Sequence, residues 1–194
     1  EFWPNGQRYF GGYRAGKFDG LGLLVRSKAT YFGVFRKHDL FGRGTAHYED
    51  GGKYDGEWRF HMFHGKGVYD WPAGDRYEGD FVRNLRHGKG VMTWPDGQRY
   101  EGEWRRGRMT GQGFIVLSNG ASYAGGFVRD AYEGQGEYRY PDGGSYVGAY
   151  HRGETTGEGV RIFANGDRYV GDFKRGWFHG YGEMTYALGD RYKG

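Results

Sequence analysis

The stretch Tyr77-Glu78-Gly79-Asp80-Phe81-Val82-Arg83-Asn84-Leu85-Arg86-His87-Gly88-Lys89-Gly90-Val91-Met92-Thr93-Trp94-Pro95-Asp96-Gly97-Gln98-Arg99 is followed by Tyr100-Glu101-Gly102-Glu103-Trp104, which starts the same frame again. Working outward from it, Tyr9, Tyr31, Tyr54, Tyr77, Tyr100, Tyr123, Tyr146, Tyr169 and Tyr192 are spaced by 22 residues once and by 23 seven times, each with a Gly two residues later. The first eight are also followed by an aromatic four residues on and by Gly-x-Gly beginning eleven residues on. A fixed period of this length marks a repeat architecture. Residues 1–194 are therefore expected to form one continuous array of eight complete units, starting near those eight tyrosines, with partial units at both ends. Because the chain starts inside a unit and stops after Tyr192-Lys193-Gly194, a longer array is expected.

Each unit reads as a hairpin. In Tyr-x-Gly-x-Trp/Phe the two rings and the intervening Gly share one face of a strand, and the residues after Gly-x-Gly alternate in the same way (Tyr69 and Trp71, Met92 and Trp94, Ile115 and Leu117). The six-residue connection between them carries Gly16, His38, His61, Asn84, Gly107, Asp130, Gly153 or Gly176, types that tolerate a left-handed backbone. Centring the loop there sets the Gly of the first strand opposite the second Gly of Gly-x-Gly, so the rings can lie over bare backbone. A second turn, such as Asn5-Gly6, Asp50-Gly51 or Asp96-Gly97, precedes most tyrosines; Ser27-Lys28-Ala29 replaces it once, with the loss of one residue. The expected fold is all-β, an elongated, twisted single antiparallel sheet of tandem hairpins. Its full strands, at about 4.8 Å spacing, would make a ribbon of roughly 75 to 80 Å.

Composition fits this reading and narrows the chemistry. Leu, Ile, Val and Phe number only 33 of 194 residues, which would suggest disorder, but 38 aromatics and a net charge of +4 oppose that. With no Cys, a disulfide framework, a zinc-thiolate site and a cysteine nucleophile are excluded. The 28 basic and 24 acidic residues are interspersed, which gives no reason to expect nucleic acid. His64, His87 and His179 precede Gly-x-Gly, yet Asp19, Phe41, Thr110, Glu133 and Thr156 stand at the same place elsewhere. No catalytic residue, metal ligand or cofactor is expected.

Units such as Tyr77 to Gly90 and Tyr100 to Gly113 resemble the MORN repeat (membrane occupation and recognition nexus), and the resemblance runs along essentially the whole chain. It implies a non-enzymatic, elongated sheet of hairpins. It also implies a role like that of the all-repeat cytoskeletal MORN proteins of protozoan parasites: a scaffold that self-associates and organises cytoskeletal or membrane-associated assemblies in cell division. Cytoskeletal proteins are then the expected partners. The expected location is the cytoplasm, on the cytoskeleton and near the plasma membrane.

Three surfaces stand out. Five and six residues after each tyrosine, 11 of 16 positions are Lys or Arg, among them Arg83, Arg105, Arg106, Arg129, Arg152, Lys174 and Arg175. Such an edge suits anionic phospholipid, phosphoinositide included, as the alternative function; equally, it suits charged hairpin ends that block strand pairing. The last unit is unusually aromatic, with Trp177 and Phe178 read as loop residues and Tyr169, Phe173, Tyr181, Tyr186 and Tyr192 on strands. It is the candidate homodimer interface, at the C-terminal end. Third, Phe10, Leu21, Leu23, Phe32 and Val34 are apolar where units three to five carry charge; they suit a partner surface or, equally, covering by local side chains or by upstream repeats.

Overall fold

The computed structural model describes residues 3–4 and 6–194; Asn5, expected in the first turn, lies outside the described residues. All regular structure among the described residues is strand. The chain divides into two compact units, the first reaching Pro95 and including Arg105–Gly107, the second comprising Asp96–Trp104 and Arg108–Gly194. In the first unit β1 (Arg8–Arg14), β2 (Lys17–Arg26), β3 (Ala29–Arg36), β4 (Asp39–Tyr48), β5 (Lys53–Arg59), β6 (Met62–Asp70), β7 (Arg76–Val82) and β8 (Leu85–Thr93) pair antiparallel in chain order. In the second, β9 (Arg99–Arg105), β10 (Arg108–Val116), β11 (Ser122–Val128), β12 (Ala131–Arg139), β13 (Ser145–His151), β14 (Glu154–Ile162), β15 (Arg168–Lys174), β16 (Trp177–Thr185) and β17 (Arg191–Lys193) do the same.

The glycine pairing expected from the sequence is present: Gly11 faces Gly22, Gly56 faces Gly67, Gly79 faces Gly90, and Gly148 faces Gly159. Over each pair lies the tyrosine of the same hairpin. A Cβ added to Gly67 would fall under 3.0 Å from the Tyr54 ring, so a side chain there displaces the ring. The Tyr54 hydroxyl donates to the Glu57 carbonyl at 2.8 Å, and Tyr77, Tyr100 and Tyr123 donate to the equivalent carbonyls at 3.1, 3.0 and 3.0 Å. The ring stacks on the residue nine positions later, Tyr54 on Phe63 and Tyr123 on Tyr132, each at 3.8 Å. It meets edge-on the aromatic of its own strand and that of the following hairpin, as Tyr54 meets Trp58 at 5.1 Å and Phe81 at 5.4 Å. These tyrosines are buried.

Two features correct the sequence reading. The connection is a two-residue turn, not six residues, because both strands run on into it. Both its residues are left-handed, as in Arg83 (φ 51°) and Asn84 (φ 67°), which is the geometry of a type I′ turn. The first Gly of Gly-x-Gly is bulged against the first strand of its own hairpin, while it pairs in the ladder with the following hairpin, as Gly65 does with Phe81. Register passes from Gly56↔Gly67 to Glu57↔His64, leaving Gly65 (φ 59°) and Lys66 bulged out. The carboxylates of Glu57, Asp80 and Glu103 accept the N–H groups of Lys66, Lys89 and Gln112 at these bulges. The Lys66 ammonium reaches Asp80 of the next hairpin at 2.8 Å.

Turns also tie neighbouring repeats together. The N–H groups of His38, His61, Asn84, Asp130 and Gly153 donate to carbonyls of the preceding hairpin. In return, the Asn84 and Asp130 side chains accept the N–H groups of Phe63 at 2.7 Å and Met109 at 2.8 Å. The turn residue is thus selected for a hydrogen bond as well as for its backbone. Asn84→Gly keeps the backbone conformation but loses that bond, and is expected to cost about 1 kcal/mol. Asn84→Ala adds a left-handed alanine and is expected to cost about 2 kcal/mol or more. Denaturant titration of the three proteins should give that order, and equal losses would contradict it.

Candidate interaction surfaces

Along the turn edge of the first unit, Arg83, Arg105 and Arg106 are exposed, as are Arg129, Arg152, Lys174 and Arg175 along that of the second. None of these seven is in an ion pair among the described residues. Arg83, Arg106, Arg129, Arg152 and Arg175 occupy the first turn position, with φ between 51° and 53°. A glycine would be less strained there by about 1 kcal/mol, so the turn does not require an arginine. Exposed Phe60, Val82 and Val128 lie among the basic positions, giving the edge apolar points as well as charge. Beside Arg152, the Glu133 carboxylate accepts its N–H at 3.0 Å and approaches His151 Nδ1 at 2.9 Å. The Arg152 hydrogen bond, and next the His151 contact, hold this carboxyl below its ordinary pKa. The edge is therefore not uniformly positive.

The seven aromatics of the C-terminal hairpin do not form one surface. Tyr169 and Phe173 are buried. Phe178 is not in a loop; it is on β16 and stacks on Tyr169 at 3.9 Å, filling the place of Phe63 and Tyr132 in their hairpins. Trp177, also on β16 and paired with Lys174, is 79% exposed. Tyr181 is 85% and Tyr192 65% exposed, and Tyr186 is half-exposed. The rings available to a second molecule are thus Trp177, Tyr181, Tyr186 and Tyr192, together with the outer part of Phe178, which remains half-exposed above its stack on Tyr169.

The third set comes together completely. Phe10 pairs with Leu23 and Leu23 with Phe32, while Leu21 pairs with Val34 in the adjacent row. Since side chains of paired residues lie on the same face, all five form one apolar patch, on the face opposite the tyrosines. Leu21 is 62% and Phe10 50% exposed. A smaller row, Val147 to Val160 to Val170, lies on the corresponding face of the second unit.

On the tyrosine face the phenols are shielded. Burial first, and neighbouring phenols or acids second, push Tyr123, Tyr132 and Tyr146 up to about 12. Burial likewise pushes Tyr54 and Tyr100 up, with Glu57 and Glu103 adding to the effect. Of the two positions that complete this face, the one fifteen after the tyrosine was read from the sequence in Tyr69, Met92 and Ile115, whereas the one nine after it was not singled out. They contain an apolar majority, Phe18, Phe63, Met92 and Ile115 among them, with exceptions at Arg86, Thr155 and Arg161. The described residues contain no group of three or more His, Asp and Glu placed to hold a metal ion.

The sequence profile of the MORN repeat matches residues 9–28, 54–76, 77–99, 100–122, 123–145, 146–168 and 169–191. Residues 31–53, outside that match, nevertheless form the hairpin of β3 and β4 with Gly33 facing Gly44. No curated protein matches the chain in sequence. Among solved structures, the TCP10 domain of Danio rerio CPAP is 14% identical, with a TM-score of 0.51 over 98% of this chain and 90% of that one. The TCP domain of Drosophila melanogaster SAS-4, solved with a proline-rich motif of Ana2, is 13% identical with a TM-score of 0.44 over 96% and 88%. At such identity the likeness to the first is one of fold alone.

A phenol with a raised folded-state pKa stabilises the fold fully below its unfolded pKa near 10, and that stability is lost as pH rises through the folded value. Stability should therefore hold to about pH 10 and fall between about 10 and 12. Denaturant titrations that give the same stability at about pH 9 and about pH 12 would contradict this.

Proposed function

The chain belongs to the MORN-repeat family, and from that premise we propose that it is a non-catalytic scaffold. In this reading it self-associates and organises cytoskeletal or membrane-associated protein assemblies in the cytoplasm, including those of cell division. The observation that carries the reading is the apolar patch of Phe10, Leu21, Phe32 and Val34, exposed around half-buried Leu23 on a face that carries Asp55, Glu78 and Glu101 in other hairpins. Among the described residues no second layer covers this apolar area, which suits a protein partner. The family's role in assembly supports the same reading. Self-association is assigned to the exposed rings Trp177, Tyr181 and Tyr192 of the C-terminal hairpin.

A second reading, contact with anionic phospholipid, is favoured by one observation: five arginines stand at turn positions where their left-handed backbone makes a glycine the easier choice. Each basic residue near an anionic surface contributes about 1 kcal/mol.

Light scattering tests self-association. The wild type should have twice the chain mass, and Trp177→Ala with Tyr181→Ala should be monomeric; Phe178 is left in place because its stack on Tyr169 holds the hairpin. A monomeric wild type, or a variant that dimerises as tightly, overturns this part of the proposal. For lipid, co-sedimentation with phosphoinositide vesicles should be lost when Arg105, Arg106, Arg129 and Arg152 are changed to Glu, with circular dichroism unchanged. Binding that survives the charge reversal would sink the basic edge as the lipid site.

A further inference from the structure

One hairpin departs from the frame at two places at once. Nine residues after the tyrosine, Phe18, Phe63, Tyr132 and Phe178 stack on Tyr9, Tyr54, Tyr123 and Tyr169. The hairpin of β13 and β14 has Thr155 there, so Tyr146 has no ring from its own hairpin above it. Fifteen residues after the tyrosine, where other hairpins carry Leu24, Ala46, Tyr69, Met92, Ile115, Tyr138 and Met184, this one carries Arg161. The missing ring leaves a cavity of about 480 Å³, within the range of small-molecule sites, and Tyr140, Tyr146, Tyr150, Thr155, Arg161 and Phe163 are among the residues that line it.

Two polar atoms beside this cavity lack partners among the described residues. The Arg161 guanidinium carbon lies 3.4 Å from the centre of the Tyr140 ring and 5.1 Å from that of Phe163. Its Nη1 is buried without a hydrogen-bond acceptor, and the Thr155 hydroxyl is buried without a partner as well. No ion pair engages the guanidinium among the described residues; Glu154, the one acid lining the cavity, is exposed and not bonded to it. Arg86 shows how the same side chain is satisfied elsewhere on this face. It replaces a stacking ring in its hairpin, and its guanidinium donates to the Gly107 carbonyl at 2.9 Å. Arg161 has no such acceptor.

We propose that this cavity binds a small organic anion, a carboxylate or phosphate carried on an aromatic or aliphatic body. The anion would pair with the guanidinium, which engages no acceptor among the described residues, and the body would take the place of the missing ring against Tyr146. A cation held on an aromatic face is already partly desolvated, so an incoming anion meets it at low dielectric. This site goes beyond the scaffold reading and does not depend on it: Arg161 and Thr155 lie outside the surfaces assigned above, although Trp177 of the self-association surface also lines the cavity.

The probes are 4-phenylbutyrate, phenyl phosphate and the neutral 4-phenylbutanol, titrated against the intact chain by ligand-observed saturation-transfer NMR. At least one of the two acids should bind ten times or more tightly than the alcohol, and the tighter of them identifies the head group. Arg161→Met, which places here the residue found at Met92 and Met184, should remove that tenfold advantage. Thr155→Phe, which restores the ring of Phe63, should abolish binding of all three probes while circular dichroism is unchanged. The proposal is overturned if no acid binds, if the alcohol binds as well as the acids, or if either variant binds the acids like the wild type.

Discussion

The fold depends on one contact, a tyrosine ring laid across two glycines that face each other in a hairpin. Without side chains at Gly56 and Gly67, the Tyr54 ring reaches the backbone itself, and its hydroxyl closes on the carbonyl where the strand passes into its bulge. The same ring then contacts its own strand, its own second strand and the next hairpin, through Trp58, Phe63 and Phe81. Each edge-on or stacked pair contributes about 0.5 to 1.5 kcal/mol beyond its buried area. A sheet with no second layer can thus obtain a core from rings alone. That accounts for the scarcity of aliphatic residues and the abundance of glycine.

That contact constrains some positions tightly and leaves others free. Gly of the first strand, the two glycines of Gly-x-Gly and the second turn residue are each fixed by a close approach or a left-handed backbone. Residues on the opposite face and at the first turn position are not. Phe10, Leu21 and Phe32 make no part of the core, and arginine at the turn is conformationally disfavoured. Features that folding does not need are therefore concentrated on the face opposite the tyrosines and along the turn edge.

Departures from the frame differ in consequence. Arg86 in place of a stacking ring is absorbed by a carbonyl of the following turn. Tyr31, whose hairpin falls outside the family match, packs edge-on against Tyr48 and Trp58 rather than under a stacked ring. Thr155 with Arg161 is not absorbed, and a cavity with unpaired polar atoms results.

The sequence by itself determined the repeat, the hairpins, the facing glycines and the left-handed turn residues, because each is a local requirement that recurs at a fixed spacing. It also identified the five residues of the apolar patch, since alternation alone assigns a strand residue to a face. Only the tertiary structure decided the two-residue turn and the bulge at the first Gly of Gly-x-Gly, because a two-residue slip preserves which face every side chain occupies and so leaves no trace in the alternation. It alone separated buried Tyr169, Phe173 and stacked Phe178 from exposed Trp177 and Tyr181, since aromatic composition does not say which rings have a glycine pair beneath them. It alone showed that Thr155 and Arg161, six residues apart, face one space, since that follows from the return of the strand past its bulge against Tyr146.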